Sequence, residues 1–338
     1  MVARFKISGL TKIRSDAIQR VLAFGSLVIM IIFFSIASEN FLTIANVNGI
    51  LLATTVNGVL ALGATFVIIT GGIDLSVGTM MTVSAVATGI IITNWELPIW
   101  LGIIVGILTG TAGGALNGLL IARLKIPPFI ATLGTLYIAK GLALVASGLK
   151  PIYFNDTPRF NEIAMGSIIP VLEIPNIVLI FFFISILAHL LLTKTTFGRY
   201  TFALGSNEEA ARLSGVNVDK WKIWVYVFGG ATAGLAGVLI SARLNSAQPS
   251  LGMGYELEAI AAVVIGGTSL RGGEGKIIGT VIGALVISTL TNGLRVLSVP
   301  QEWQTVVTGT IVVLAVYLDI VRRKREAVSS ARQTSGEK

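Results

Sequence analysis

Gly102-Ile103-Ile104-Val105-Gly106-Ile107-Leu108-Thr109-Gly110-Thr111-Ala112-Gly113-Gly114-Ala115-Leu116-Asn117-Gly118 lies inside residues 98–121, a stretch with no charged side chain. About twenty apolar residues in helical form cross the ~30 Å hydrocarbon layer of a bilayer. Glycine at 102, 106, 110, 114 and 118 repeats every fourth position and so marks one helix face. In water each such glycine weakens a helix by about 1 kcal/mol against alanine. In lipid the same spacing lets two backbones approach closely, so that packing replaces the absent hydrophobic drive. The stripe predicts tight helix packing within the subunit, or a face that lines a polar path or a subunit interface. Gly275, Gly279 and Gly283 repeat the spacing.

The rest of the chain agrees with this segment. Of 338 residues, 54% are hydrophobic and 12% charged, with a mean hydropathy of +0.84. A soluble domain carries about 25% charged residues. The pattern predicts an all-α polytopic membrane protein of about ten transmembrane helices, near 20–37, 47–69, 74–93, 98–121, 128–148, 175–193, 222–242, 254–269, 276–293 and 302–321. The expected organisation is an N-terminal cytoplasmic segment 1–19, a transmembrane domain 20–321 and a basic tail 322–338. Within the domain, 194–221 forms a cytoplasmic loop and 149–174 an external one with a short interfacial helix. The tail is expected to be solvated and loosely ordered.

An even number of spans puts both termini on one side. With that side cytoplasmic, twenty of the twenty-five Lys and Arg residues fall inside, as the positive-inside rule requires. The net charge of +8 is therefore a topology signal, and no nucleic-acid partner is expected. The basic segment before Val21–Phe34, followed by Ser35-Ile36-Ala37, reads as an uncleaved first anchor or a cleaved signal peptide.

Chemistry is narrowed by what the chain lacks. With no cysteine and one histidine, His189, neither thiolate nor histidine-rich metal sites are available. Gly266–Gly275-Lys276 fails as a phosphate loop, because Leu270 and Ile277 stand where glycine and Ser/Thr are needed. No Gly-x-Ser-x-Gly elbow occurs. No catalytic residue, cofactor or metal is expected, and energy for any pumping must come from an ion gradient or another subunit.

Two polar regions stand out. Leu204–Val216 reads as a short capped helix facing water. Ser206 and Glu209 have capping-box spacing, Glu208 and Glu209 suit the positive helix end, Arg212 follows, and Gly215 suits the C′ position. Ala210 and Ala211, in the run that begins Ser206-Asn207-Glu208, offer a small face for docking. The second region is Gly71-Gly72-Ile73-Asp74-Leu75-Ser76, a glycine break at membrane depth. Asp74 is either an N-cap of the third span or a gate beside the transport path. Further pore candidates are Asn57, Asn117 and Asn292 within apolar spans, and Glu256 and Glu258 opening the eighth. Lys140 lies within the fifth span, where it snorkels, pairs with a carboxylate or faces a cavity. Residues 68–78 are echoed weakly by 263–272, as in transporters built from duplicated broken helices.

Several of these motifs together resemble a known family. Glu209-Ala210-Ala211-x-x-x-Gly215 is similar to the EAA…G pattern of importer permeases in ATP-binding cassette transporters. The stretches 71–78, 205–215 and 255–270, with Trp303-Gln304 and 314–319, resemble the ribose/xylose-type monosaccharide permeases over about 45–320. Two departures are Glu258, where aspartate is usual, and Arg271-Gly272-Gly273-Glu274-Gly275, where Ser-Gly-Gly-Arg-Gly is usual. The resemblance implies a homodimeric pore in the bacterial inner membrane, surrounded by lipid. It also implies two copies of an ATPase subunit and an extracytoplasmic sugar-binding protein. Ser206–Gly215 would then be the coupling helix. Two other readings stay open: the same architecture carrying a nucleoside or autoinducer-like sugar derivative, and an ion-coupled secondary transporter using Asp74, Lys140 or His189.

Overall fold

Hydrophobic runs and their breaks account for nearly every element. The computed structural model describes residues 23–169 and 173–335. The expected segment 1–19, the start of the first span and residues 336–338 lie outside the described residues. The described residues are mostly helical: α1 (Ala23–Ala37), α2 (Ile44–Ile69), α3 (Val77–Gly89, continued by a π-turn Ile90–Asn94), α4 (Ile99–Ala122), α5 (Pro128–Ala146), α6 (Pro158–Met165) and α7 (Asn176–Lys194). There follow α8 (Thr196–Ser206), α9 (Glu208–Leu213), α10 (Val218–Leu244), α11 (Tyr255–Ile265), α12 (Ile277–Val296) and α13 (Gln301–Ser335). The one sheet among the described residues is a two-strand antiparallel pair, β1 (Ile152–Tyr153) with β2 (Ser246–Ala247).

Among the described residues, seven helices are long and apolar enough to span a membrane: α2, α3 with its π-turn, α4, α5, α7, α10 and α12. The other three expected spans differ. The described part of the first is the fifteen-residue α1. The eighth, expected over 254–269, is the eleven-residue α11, about 16 Å long and too short to cross by itself. The tenth is the start of α13, whose helix continues through Ser335, so the segment from Arg322 is helical where a loose tail is expected.

The centre is α2, nearly all of whose apolar stretch is buried, with α7, α10, α11 and α12 packed around it. The glycine stripe of α4 packs against α10. A methyl added at Gly110 would lie 2.4 Å from the Gly230 carbonyl oxygen, and one at Gly114 would lie 2.2 Å from that of Tyr226. Gly279 and Gly283 of α12 meet the backbone of Gly266 and Ala262 just as closely. Packing within the chain is thus the use of both stripes, as small-residue contacts in membranes require.

Candidate functional site

The short helix α9 is capped by Asn207, not Ser206. Ser206 is still the last residue of α8, while Asn207 has extended backbone and its Oδ1 accepts the Ala210 N–H at 2.9 Å. The expected Ser206–Glu209 capping box is therefore replaced by an Asn cap one residue later. At the other end the Val216 N–H bonds the Ala211 carbonyl and the Gly215 N–H that of Arg212, a Schellman closure with Gly215 at C′ as expected.

The faces of α9 have separate jobs. Ala211 is buried, so only Ala210 of the expected alanine face is exposed. Glu208 is tied to Lys222 of α10 at 2.7 Å and to Arg212 at 3.5 Å; Arg212 also lies 4.0 Å from Asp219. Asp219 takes Lys125, from the α4–α5 loop, at 2.7 Å. These pairs brace α9 against α10. What is left facing outward is Glu209, Ala210 and Leu213, the last 83% exposed. Sequence reading missed Leu213; its signal was an apolar residue four positions after Glu209, on the same helical face.

Directly beneath α9, three glycine-containing breaks meet. The Gly273 N–H donates to the Ile69 carbonyl at 2.8 Å. A methyl at Gly205 would lie 1.7 Å from that carbonyl oxygen and 2.5 Å from Gly273 N, and one at Gly272 would lie 2.9 Å from Gly71 N. The two breaks also share a design. α2 ends with Gly72 N–H on Val67 O and Gly71 N–H on Ile68 O; α11 ends with Thr268 N–H on Val263 O and Gly267 N–H on Val264 O. Both are Schellman motifs with the positive φ at glycine, +78° at Gly71 and +91° at Gly267. The sequence echo is thus realised in space, with Gly71 matching Gly267, one residue from the pairing that the sequence suggested.

From the first break the chain runs into a buried polar chain. Asp74, 4% exposed, accepts from the Ser76 backbone N–H at 2.8 Å and the Ser76 hydroxyl at 2.6 Å. Asn117 of α4 donates to Ser76 Oγ at 2.8 Å, and Thr135 of α5 donates to Asn117 Oδ1 at 2.7 Å. Asp74 therefore closes an Asx-type turn ahead of α3; Ser76 is the N-cap residue and makes no side-chain cap bond. The expectation of Asp74 as N-cap is corrected to this turn. The network joins Asp74, Ser76 and Asn117 from the predicted set, and adds Thr135. Tyr226 of α10, also missed, comes so close to Gly72 that a methyl there would lie 2.4 Å from its hydroxyl oxygen.

The remaining candidates lie elsewhere. Asn57 donates its amide to Glu258 Oε2, joining α2 to α11. Both oxygens of Glu256 accept the Gly254 N–H at 3.1 Å, which satisfies the start of α11. A methyl at Gly49 would lie 3.7 Å from Asn292 Nδ2, toward the opposite end of α2 from the glycine breaks. Lys140 on α5 is half-buried and makes no ion pair among the described residues, apart from the other candidates. No group of His, Asp and Glu able to hold a metal occurs among the described residues.

Comparison with known proteins adds a lineage to this geometry. Residues 46–316 match the family model described as branched-chain amino acid transport system / permease component. The chain is 43% identical over 319 residues to the ribose import permease protein of Bacillus subtilis (strain 168), covering 94% of this chain and 97% of that one. It is 39% identical over 295 residues to the D-allose transport system permease protein of Escherichia coli (strain K12), covering 86% and 88%. It is 34% identical over 372 aligned positions to the xylose transport system permease protein of Haemophilus influenzae, covering 93% and 99%. No solved structure matches.

Proposed function

Since the chain belongs to the family of branched-chain amino acid transport system permease components, we propose that it is the membrane-spanning permease of an ATP-driven, binding-protein-dependent importer of ribose-like monosaccharides. It is a multi-pass membrane transport subunit, not a catalytic one. In this reading two copies form the pore in the bacterial inner membrane, and two ATPase subunits dock from the cytoplasm. An extracytoplasmic sugar-binding protein delivers the solute to the face carrying the external loop. Both termini and ten membrane-inserted helices, including the short α11, complete that arrangement, with the termini cytoplasmic.

The observation that carries the reading is the wedge under α9. The Gly205–Ser206 backbone sits against both glycine breaks, so a push on α9 acts directly on the end of α2 and on the loop that joins α11 to α12. Glu209, Ala210 and Leu213 present the surface on which an ATPase cleft would act. Ion pairs from Glu208 and Arg212 keep α9 moving with α10.

The test is uptake by the complex reconstituted in proteoliposomes with its ATPase and binding protein. Glu209→Lys and Leu213→Asp should each reduce ATP-dependent ribose uptake at least about tenfold, as loss of a docking hot spot does. Thermal stability and membrane insertion should be unchanged, because neither side chain is buried. Wild-type uptake by both variants would refute the docking role; uptake by the isolated chain without ATP would favour an ion-coupled carrier. Ala211→Glu is a poorer probe, because Ala211 is buried and the change would disturb packing.

A further inference from the structure

The head of α11 gathers polar side chains that the glycine junction does not use. Asn57 gives its amide N–H to Glu258, but its Oδ1 accepts nothing among the described residues, although the side chain is 6% exposed. α2 and α12 run antiparallel and touch through Thr65 Oγ1 and Thr280 Oγ1 at 2.7 Å. About eight residues further along each helix, at ~1.5 Å rise per residue, Ser288 comes level with Asn57. Ser288, Asn292 and Arg295 fall at i, i+4 and i+7, one stripe of α12. Ser288 Oγ and Asn292 Oδ1 are also buried without partners. Arg243 of α10, anchored on the Leu52 carbonyl at 2.9 Å, and Tyr255 lie within electrostatic reach of this group.

Three orphaned polar atoms on facing helices require an explanation, since each buried unsatisfied group costs about 1–3 kcal/mol. Helix packing does not use them. The charges nearby are balanced, with Glu256 and Glu258 against Arg243 and Arg295, and donors are mixed with acceptors. A hydroxyl group donates and accepts at once, so a neutral polyol matches such a set, whereas an ion would leave part of it unpaired. α11 is moreover a half-length helix that starts beside the body of α3: a methyl at Gly252 would lie 2.1 Å from Thr82 Oγ1. Broken helices at membrane depth are where transporters place solute contacts.

Resting on the sugar-permease reading above, we propose that Asn57, Glu258, Ser288 and Asn292 form a polyol contact site at the head of α11, giving the permease its own selective step after delivery by the binding protein. Asn292 makes no side-chain hydrogen bond among the described residues, and Ser288 makes none either. Removing their polar atoms therefore breaks no bond that holds the fold.

The experiment compares saturated uptake of ribose and 2-deoxyribose by the reconstituted complex, with both sugars loading the same binding protein. Asn292→Leu and Ser288→Ala should each lower the ribose-to-deoxyribose rate ratio by about three- to tenfold, the effect of losing one hydrogen bond to solute. Their thermal stability and membrane insertion should stay at wild-type levels. Glu258→Gln should lower ribose uptake about tenfold, as loss of a charged hydrogen bond does. The exchanged pair Asn57→Asp with Glu258→Gln should not restore ribose uptake. Unchanged ratios in Asn292→Leu and Ser288→Ala, or full restoration by the exchanged pair, would overturn the site while leaving the importer reading intact. Absence of any ATP-driven sugar uptake by the wild-type complex would overturn both.

Discussion

Asn117 shows how much one polar residue contributes inside lipid. Its amide joins Ser76 to Thr135 and so holds the Asp74 turn against α4 and α5. Replacement by leucine keeps the volume but leaves two buried hydroxyls short of a partner. Asn117→Leu should lower stability by about 2–3 kcal/mol, read as an earlier thermal transition of the detergent-solubilised protein. A transition unchanged from wild type would mean that water replaces the amide. Composition flags Asn117 as unusual in an apolar span, and Asp74 as unusual after two glycines. Nothing local says that they share Ser76, because the residues involved come from three separate segments.

Among elements, the α4–α10 contact depends on glycine for closeness and not for flexibility. A methyl at Gly110 would overlap the backbone of α10, whereas one at Gly141 of α5 meets nothing within 4 Å. Gly110→Ala should therefore destabilise by about 1–3 kcal/mol, the usual cost of overpacking. Gly141→Ala should be neutral or stabilise by up to about 1 kcal/mol through helix propensity. Parallel thermal melts of the two variants check this, and equal transitions would rule out the close contact. Amphipathic α8 is a different case, because it lies within 194–221, where the sequence predicts a loop. Phe197 stacks on Phe66 of α2 at 5.5 Å and packs on Phe228 of α10 at 6.1 Å, so partners on two distant helices stabilise it. A short helix gains most of its stability from such docking.

For the whole molecule, the arrangement gathers α9, the α4–α5 loop and both glycine breaks at one end, and the β1–β2 pair with α6 at the other. The basic residues Lys125, Arg212 and Lys222 fall at the first end, which we propose, from the positive-inside rule, to be the cytoplasmic one. The natural absence of cysteine makes this directly measurable. Ser214→Cys, next to α9, should react with a membrane-impermeant maleimide only after sealed right-side-out vesicles are opened. Asn40→Cys, between α1 and α2, should react in the sealed vesicles. The reverse pattern would invert the protein and remove α9 from any cytoplasmic ATPase.

By itself, the sequence determined the membrane class, most helix limits, the presence of the glycine stripes and the water-facing character of α9. All of these follow from hydropathy, spacing and capping, which act over a few residues. Only the tertiary structure decided that Asn207 caps α9, that Ala211 faces inward, and that the breaks after α2 and α11 meet under Gly205. It also decided that Asn57 reaches Glu258, 201 positions away. Such pairings depend on how helices cross and rotate against one another. In an apolar chain every helix face is greasy, so local pattern does not specify that rotation; close contact of small residues and burial of scarce polar groups do.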